Sequence, residues 1–153
     1  MLERNIMKLK PWLFLAMAAL MTLSGCASVR MAPHENDKLA KQFNSPPVGK
    51  SGLYIYRDSF CGQASKKAVY MDGVAVGETA NKVYFYITIS PGSHSLSTES
   101  EFSNNSSTFV AVGGKNYFAR QKVRMGVFLP GASINLVTES IGKAGVLDCE
   151  LAE

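Results

Sequence analysis

The sequence predicts an all-β fold, a small two-sheet sandwich of about seven to eight mostly antiparallel strands, placed after a signal peptide and a flexible tether. From Gly52 onward, short β-branched and aromatic runs are separated by turns made of Gly, Asp, Asn and Pro. No apolar pattern of helical period extends over a useful length in this part of the chain. The 153 residues, 46% hydrophobic and 18% charged, suffice for one compact core and exclude a disordered or coiled-coil chain.

The first 25 residues are predicted to be a lipoprotein signal peptide. Lys8 and Lys10 precede an uncharged run over 11–23. These 13 residues fit a secretory leader and fall short of the roughly 20 that span a bilayer. The run ends in Leu23-Ser24-Gly25-Cys26, which resembles the lipobox of bacterial lipoproteins. Cys26 is then expected to be the lipidated first residue of the mature chain.

The lipobox resemblance implies where the protein is located. Three acyl chains, palmitate among them, would make attachment through Cys26 effectively permanent, because one chain alone binds a membrane only marginally. By resemblance to the sorting rule of such proteins, Ala27 after the cysteine implies the outer membrane, with the body facing the periplasm; display on the cell surface is the alternative. The alternatives are an ordinary leader with a chance cysteine and an uncleaved anchor.

Cys61 and Cys149 are the two cysteines that remain, and we predict a disulfide between them. An even pair in an oxidising compartment favours a bond. Closing a loop of about 89 residues would remove chain entropy worth on the order of 4.6 kcal/mol. The alternative is two unpaired buried thiols.

Residues 26–50 are predicted to be a tether between the lipid and a sandwich domain over 51–153. They contain three prolines and show little apolar periodicity, and they would reach about 60–80 Å if stretched. Within them, 37–43 could form a short helical turn, with Asp37 near its start and Leu39, Ala40 and Phe43 pinned to the body.

Eight strands are predicted in the body. Asp72-Gly73 predicts a type I′ hairpin between strands at 68–71 and 74–78. Ser90-Pro91-Gly92 predicts a type II turn and a second hairpin between 83–89 and 93–99. The other strands are predicted at 53–57, 107–112, 116–123, 133–139 and 145–151.

The formal charge of +4 does not indicate nucleic-acid binding. Residues 1–25 and 26–50 each contribute +2, and the remaining chain carries nine charges of each sign. A neutral body lacks the clustered Lys and Arg that phosphate contacts require. No nucleic acid is therefore expected as a partner.

No residue set in the body dictates a reaction. His94 is its one histidine, and a structural role for it is favoured over that of a catalytic base. Nucleotide-binding, zinc-protease and α/β-hydrolase motifs are absent from the sequence. We expect no enzyme activity, no cofactor and no metal; an envelope hydrolase using His94 is the alternative.

Aromatic residues supply the functional hypothesis. All six tyrosines fall in predicted strands, and several of them share one face of their strand. If these tyrosine-bearing faces lie on the outside of the sandwich, they could bind a glycan, a peptide or a partner protein. Packing of the tyrosines within the sandwich is the favoured alternative. The candidate binding surface comprises Tyr84, Tyr86, Tyr117, Gln121, Lys122 and Met125. For the segment 121–128, which contains the last three, a plain connecting loop is the favoured alternative.

Two resemblances support the fold and the location. The run Asp72-Gly73-x-x-x-Gly77 and the run Ser90-Pro91-Gly92-x-His94 look like the hairpins of PEGA-type β-sandwiches. The span from Asp37 to Leu151 resembles the bacterial lipoproteins of domain of unknown function DUF2846. Its landmarks are Ala40-Lys41-x-Phe43, Leu53-Tyr54-Ile55-Tyr56-Arg57, the two turns above, Gly114-Lys115-Asn116-Tyr117-Phe118, Gln121 and Met125-Gly126-Val127. The two cysteines of the predicted disulfide are not part of this pattern.

The resemblance implies a location and a fold but no activity. We therefore expect a membrane-anchored envelope lipoprotein that acts as a binding or scaffolding module, with an envelope protein or a glycan as partner. A structural subunit of an envelope assembly is a further alternative.

Overall fold

The computed structural model describes residues 28–59, 64–99, 105–124 and 131–153. Within these ranges the chain forms two helices, α1 (His34–Ala40) and α2 (Glu139–Leu147), and nine strands. The strands are β1 (Ser51–Arg57), β2 (Lys67–Met71), β3 (Val74–Thr79), β4 (Val83–Ile89), β5 (Gly92–Thr98), β6 (Asn105–Ala111), β7 (Asn116–Arg124), β8 (Gly131–Val137) and β9 (Glu150–Leu151). The predicted signal peptide and Cys26 lie outside the described residues.

The strands form the two-sheet sandwich that the sequence predicts. One sheet has the order β8-β7-β1-β4-β9, and the other has the order β3-β2-β5-β6. Most pairs are antiparallel, but β1 pairs parallel with β7 and β4 pairs parallel with β9. The central strand of the larger sheet is therefore β1.

Strand β1 is buried along its entire length, on both faces of its sheet. Its side chains alternate: Leu53 and Ile55 belong to the core between the sheets, and Tyr54 and Tyr56 belong to a second, aromatic cluster. A strand with two buried faces needs a layer on each side. The second layer consists of the two helices.

In the described part of the chain, the core between the sheets is mostly apolar and contains a cross-sheet hydrogen-bond network. Leu53, Ile55 and Ile134 of the larger sheet pack with Val69 and Leu96 of the smaller sheet. Gln121 on β7 is fully buried and contacts the hydroxyl groups of Thr79 on β3 and Thr98 on β5. This side chain joins the two sheets through hydrogen bonds.

One predicted hairpin is confirmed and the other is wrong. Asp72 and Gly73 both have positive φ, as a type I′ turn requires, and they join β2 to β3. The turn at Ser90–Gly92 instead carries the chain from one sheet to the other. Strand β4 pairs with β1 and β9, and β5 pairs with β2 and β6.

The strands predicted at 133–139 and 145–151 are only partly correct, because α2 lies between β8 and a two-residue β9. The helix crosses the aromatic face, where Gly142 lies against Phe118 and Gly145 lies against Tyr56. A Cβ at either glycine would come within 2.2 Å of those side chains. The two glycines weaken the helical signal in the sequence and at the same time permit this close packing.

The prediction of a flexible tether up to residue 50 is wrong for the described part of that segment. Helix α1 lies within it and begins at His34, before the helical turn that we predicted. Ala40 and Phe43 pack on the aromatic cluster as expected, whereas Leu39 is 61% exposed. Among the described residues, no helix is both long and apolar enough to cross a membrane.

Replacing Gly142 with Ala should destabilise the fold even though Ala is the better helix former. The new Cβ would lie 2.2 Å from the Cβ of Phe118, and neither atom is the end of a flexible chain. We expect the free energy of unfolding to fall by about 1–3 kcal/mol in a denaturant titration. Gly113→Ala is the matched control, because its Cβ would make only an ordinary contact with Pro91. Equal stabilities of the two variants would contradict the close packing of α2.

Candidate functional site

The aromatic cluster lies on the outer face of the larger sheet. The ring of Tyr54 stacks on Phe118 with centroids 5.0 Å apart and lies 4.5 Å from Tyr86. Phe43, just after α1, contacts both Tyr54 and Phe118 at 5.3 and 5.8 Å. Lys143 of α2 lies over the Phe43 ring at 5.3 Å. The rings thus connect the sheet to both helical segments.

Asp37 fixes α1 to the sheet edge. One of its carboxylate oxygens accepts the backbone N–H of Leu151 on β9 at 3.0 Å, and the other contacts Lys41 Nζ at 2.8 Å. Burial raises the pKa of Asp37, but the contacts from Lys41, Tyr84 and the Leu151 N–H outweigh it and lower the pKa overall. Asp37 is therefore a buried, ionised link between the two ends of the described chain.

Further hydrogen bonds hold the segment around α1. The hydroxyl group of Tyr54 donates to the carbonyl of Ala40 at 2.8 Å. Asn116 at the start of β7 donates to the carbonyls of Phe43 and Asn44. A Cβ at Gly52 would lie 2.1 Å from the Asn116 amide oxygen, so the glycine leaves room for this amide.

A groove of about 540 Å³ opens between α1, the sheet and the C-terminal residues; we call it the aromatic groove. Tyr54 and Tyr86 form its aromatic part, and Tyr86 is only partly buried. Burial raises the pKa of Tyr86, so its hydroxyl group stays protonated and can donate a hydrogen bond. The remaining lining residues are Ala32, Pro33, Asn36, Leu39, Ala40, Asn44, Ser45, Leu151, Ala152 and Glu153.

The lining residues of the aromatic groove offer mostly neutral hydrogen-bonding groups. Asn36, Asn44 and Ser45 supply amide and hydroxyl groups, and all three are exposed. The one carboxylate side chain among the lining residues belongs to Glu153, which pairs with Arg30. The groove therefore combines an aromatic surface with uncharged donors and acceptors, as ligand sites commonly do.

The structure describes five of the six predicted surface residues and does not bring these five together. Tyr84 is fully buried in the aromatic cluster, and Tyr86 alone lines the groove. Tyr117 packs on the core between the sheets, and Gln121 is buried in the cross-sheet network. Lys122 is exposed on β7, and Met125 lies outside the described residues.

His94 occupies a structural position between two turns. Its Nδ1 lies 2.7 Å from an Asp72 carboxylate oxygen, and its Nε2 lies 2.7 Å from the Ser90 carbonyl oxygen. Both partners are acceptors, so an imidazolium with two N–H groups fits the site best. The hydrogen bonds to Asp72 and Ser90 raise the pKa of His94. A ring with both nitrogens engaged is poorly placed to act as a general base.

The predicted disulfide is not found, since Cys149 carries a free thiol in the structure. The thiol is buried behind β1 and lies 3.6 Å from the carbonyl oxygen of Arg57. Burial raises its pKa to about 12, so it stays protonated. Cys61 lies outside the described residues.

Two buried polar residues were not predicted from the sequence. Arg57 is fully buried at the end of β1 and donates to the carbonyls of Ser65 and Thr79. The sequence predicts Asp37 only as a residue near the start of a helix, whereas its carboxylate links α1 to β9. The sequence signal that could have indicated the buried position of Arg57 is its place at the end of a largely apolar strand. No local signal marks Asp37, because its partner is remote in sequence. In the described ranges, no cluster of His, Cys, Asp and Glu could hold a metal ion.

Comparison with known proteins gives the family. A family model described as "Protein of unknown function (DUF2846)" matches residues 47–132, more than half of the chain. The chain belongs to the DUF2846 family. An uncharacterized protein of Haemophilus influenzae is 51% identical over 130 residues, which cover 85% of this chain and 77% of that protein. No solved structure matches the chain.

The family match covers the sandwich more than the groove. It starts just before β1 and ends at the beginning of β8, so both helices and β9 lie outside it. The lipobox and the likeness to PEGA-type hairpins stay predictions.

The pair formed by His94 and Asp72 should make stability depend on pH. Because the folded-state pKa of His94 is raised, its contribution is complete below its ordinary pKa near 6.5 and is lost as the pH rises through the raised value. The pKa of Asp72 is lowered, so its contribution is present above about 3.8 and disappears at lower pH. The pair should therefore stabilise most between about pH 4 and 6.5.

A His94→Gln variant tests this dependence. We expect it to unfold more easily than the parent at pH 5.5, by about 1 kcal/mol given the exposure of Asp72, and the difference should shrink by pH 9. His34→Gln, which changes the exposed histidine of α1, is the control. A stability difference that stays constant from pH 5.5 to 9 would show that the charged pair is not what His94 contributes.

Proposed function

We propose that this DUF2846 protein is a lipid-anchored lipoprotein of the cell envelope and that it acts as a binding module. The lipobox-like sequence before Cys26 supports the anchor, and the aromatic groove supports the binding role. The groove is the observation that carries the proposal, because a concave surface with an aromatic part and a few neutral polar groups suits a small or extended ligand.

A glycan is the ligand class that fits the groove best. A sugar ring presents apolar C–H faces and neutral hydroxyl groups. Partly exposed Tyr86, backed by Tyr54 at 4.5 Å, offers an aromatic face, and Asn36 and Asn44 offer amides to the hydroxyl groups. The Glu153 carboxylate is balanced by Arg30, so a strongly charged ligand gains little there. In an envelope protein the glycan strand of peptidoglycan is the natural candidate.

Titration with soluble peptidoglycan fragments tests the proposal. The mature chain in detergent should bind disaccharide-containing fragments, and Tyr86→Ala should weaken binding by about tenfold, equivalent to about 1.4 kcal/mol, measured by calorimetry. Tyr70→Ala is the matched control, because Tyr70 is also partly buried but lies on β2 of the other sheet.

Two results would contradict the proposal. One is a lack of saturable binding at millimolar fragment concentration. The other is binding that Tyr86→Ala and Tyr70→Ala leave equally strong, because the glycan would then bind elsewhere than in the aromatic groove.

A further inference from the structure

The chain that follows the lipidation site is part of the folded body from its first described residues. Met31 forms an antiparallel bridge with Ala152. The N–H of Ala32 donates to the carbonyl of Leu151 at 2.9 Å, and the N–H of Glu153 donates to the carbonyl of Arg30 at 3.0 Å. Residues 30–32 therefore continue the larger sheet beyond its edge strand β9.

Side-chain packing supports this pairing. Val29 packs against a small buried cluster that includes Val83 and Phe85 of β4 and also Ala152. Arg30 pairs with Glu153 across the same edge. Backbone pairing and apolar packing together fix the position of the chain as early as Val29.

The distance from this edge to the lipid is short. Cys26 precedes Val29, the first residue that packs on the body, by three residues, and three residues span at most about 11 Å when fully extended. A lipid on Cys26 would therefore hold Val29 and the adjoining sheet edge close to the headgroups of the bilayer.

We propose that the folded body is seated directly on the bilayer surface, with the edge of the larger sheet formed by β9 and residues 30–32 against the lipid headgroups. This proposal rests on the lipid anchor of the proposed function and names the surface that the anchor brings to the membrane. In this arrangement no long tether separates the body from the membrane, and the body has a fixed orientation on the bilayer.

The side chains around Ser28 are of the kinds that suit a contact with lipid headgroups. A concavity of about 350 Å³ is lined by Ser28, Val29, Met31, Asp148, Glu150 and the turn at 80–83. Met31 is 38% exposed, and Lys82 Nζ lies 3.7 Å from Asp148 Oδ2. This mixture of exposed apolar and oppositely charged side chains suits a bilayer surface without a strong net charge. We call this contact between the sheet edge and the bilayer surface the seat. It should depend on the acyl chains of the anchor and respond only weakly to salt.

The seat also sets the position of the aromatic groove. The groove begins at Ala32 and Pro33, a few residues beyond Ser28, and it includes Glu153 at the same sheet edge. A ligand in the groove would lie close to the membrane surface. A peptidoglycan strand would then have to approach the membrane closely to be bound.

Tryptophan fluorescence tests the seat, because the sequence has one tryptophan, Trp12, and this residue precedes Cys26. Single tryptophans are introduced as Asp148→Trp, next to the seat, and as Asn135→Trp, exposed on β8. Strand β8 is the opposite edge of the sheet, four strand spacings or about 19 Å from β9. The lipidated variants are reconstituted into vesicles of brominated phosphatidylcholine, whose bromine atoms quench nearby tryptophan.

Asp148→Trp should lose most of its fluorescence, and Asn135→Trp should keep most of it. Insertion of 20 Gly and Ser residues between Ala27 and Ser28, with a reach of about 25 Å, should restore the fluorescence of Asp148→Trp without releasing the protein from the vesicles. Raising the salt concentration should leave the quenching nearly unchanged.

The outcomes separate the seat from the anchor. Vesicle-bound protein in which neither tryptophan is quenched would overturn the seat and leave the anchor standing. If the Cys26→Ser variant sediments with vesicles as well as the parent protein does, both the anchor and the seat are overturned. Quenching of Asp148→Trp that persists in the Cys26→Ser background would also overturn the seat, because the introduced tryptophan would then bind lipid by itself.

Discussion

The outer face of the larger sheet must be covered, and most of the structure follows from that requirement. Its fully buried side chains include Tyr54, Tyr56, Tyr84 and Phe118, and burying each ring from water contributes on the order of 2–3 kcal/mol. The smaller sheet covers only the opposite face. Both ends of the described chain supply the missing layer, α1 from the N-terminal side and α2 from the C-terminal side. The fold is thus a sandwich with a third, helical layer.

This third layer connects the fold to its proposed role. Because α1 and β9 meet through Asp37, the two ends of the described chain form one edge of the body. The aromatic groove lies where the layer leaves Tyr86 partly uncovered, and the chain leading to Cys26 leaves from the same edge. In the proposed account, anchor and ligand site are therefore neighbours, and binding takes place close to the membrane.

Local patterns in the sequence predicted the strands well and the third layer poorly. Asp72-Gly73 specifies its own turn, because only residues that tolerate positive φ fit there. The predicted hairpin of β2 and β3 is therefore confirmed. The turn at Ser90–Gly92 is just as clear locally, but no local rule states that β4 and β5 belong to different sheets. Pairing depends on the remote partners β1, β9, β2 and β6.

The two helices and the aromatic groove also depend on contacts between residues that are far apart in the sequence. Alternation in β1 predicted that Tyr54 and Tyr56 share a face, but both faces of β1 are buried, so alternation could not distinguish core from surface. Gly142 and Gly145 weaken the helical pattern of α2, although the tertiary contacts with Phe118 and Tyr56 require them. Prolines and low apolar periodicity suggested a tether before β1, whereas Asp37 and Phe43 hold that segment on the sheet through partners far along the chain.

Hydrogen exchange of the mature chain, followed by mass spectrometry or NMR, tests most directly whether the N-terminal segment belongs to the fold. We expect the amides of Lys41, Leu151 and Ala152, which donate to Asp37 and Tyr84, to exchange as slowly as the amides of β1 and to open together with them. Exchange of residues 28–50 at the rate of an unstructured peptide, while β1 stays protected, would contradict the covering layer and restore the tether.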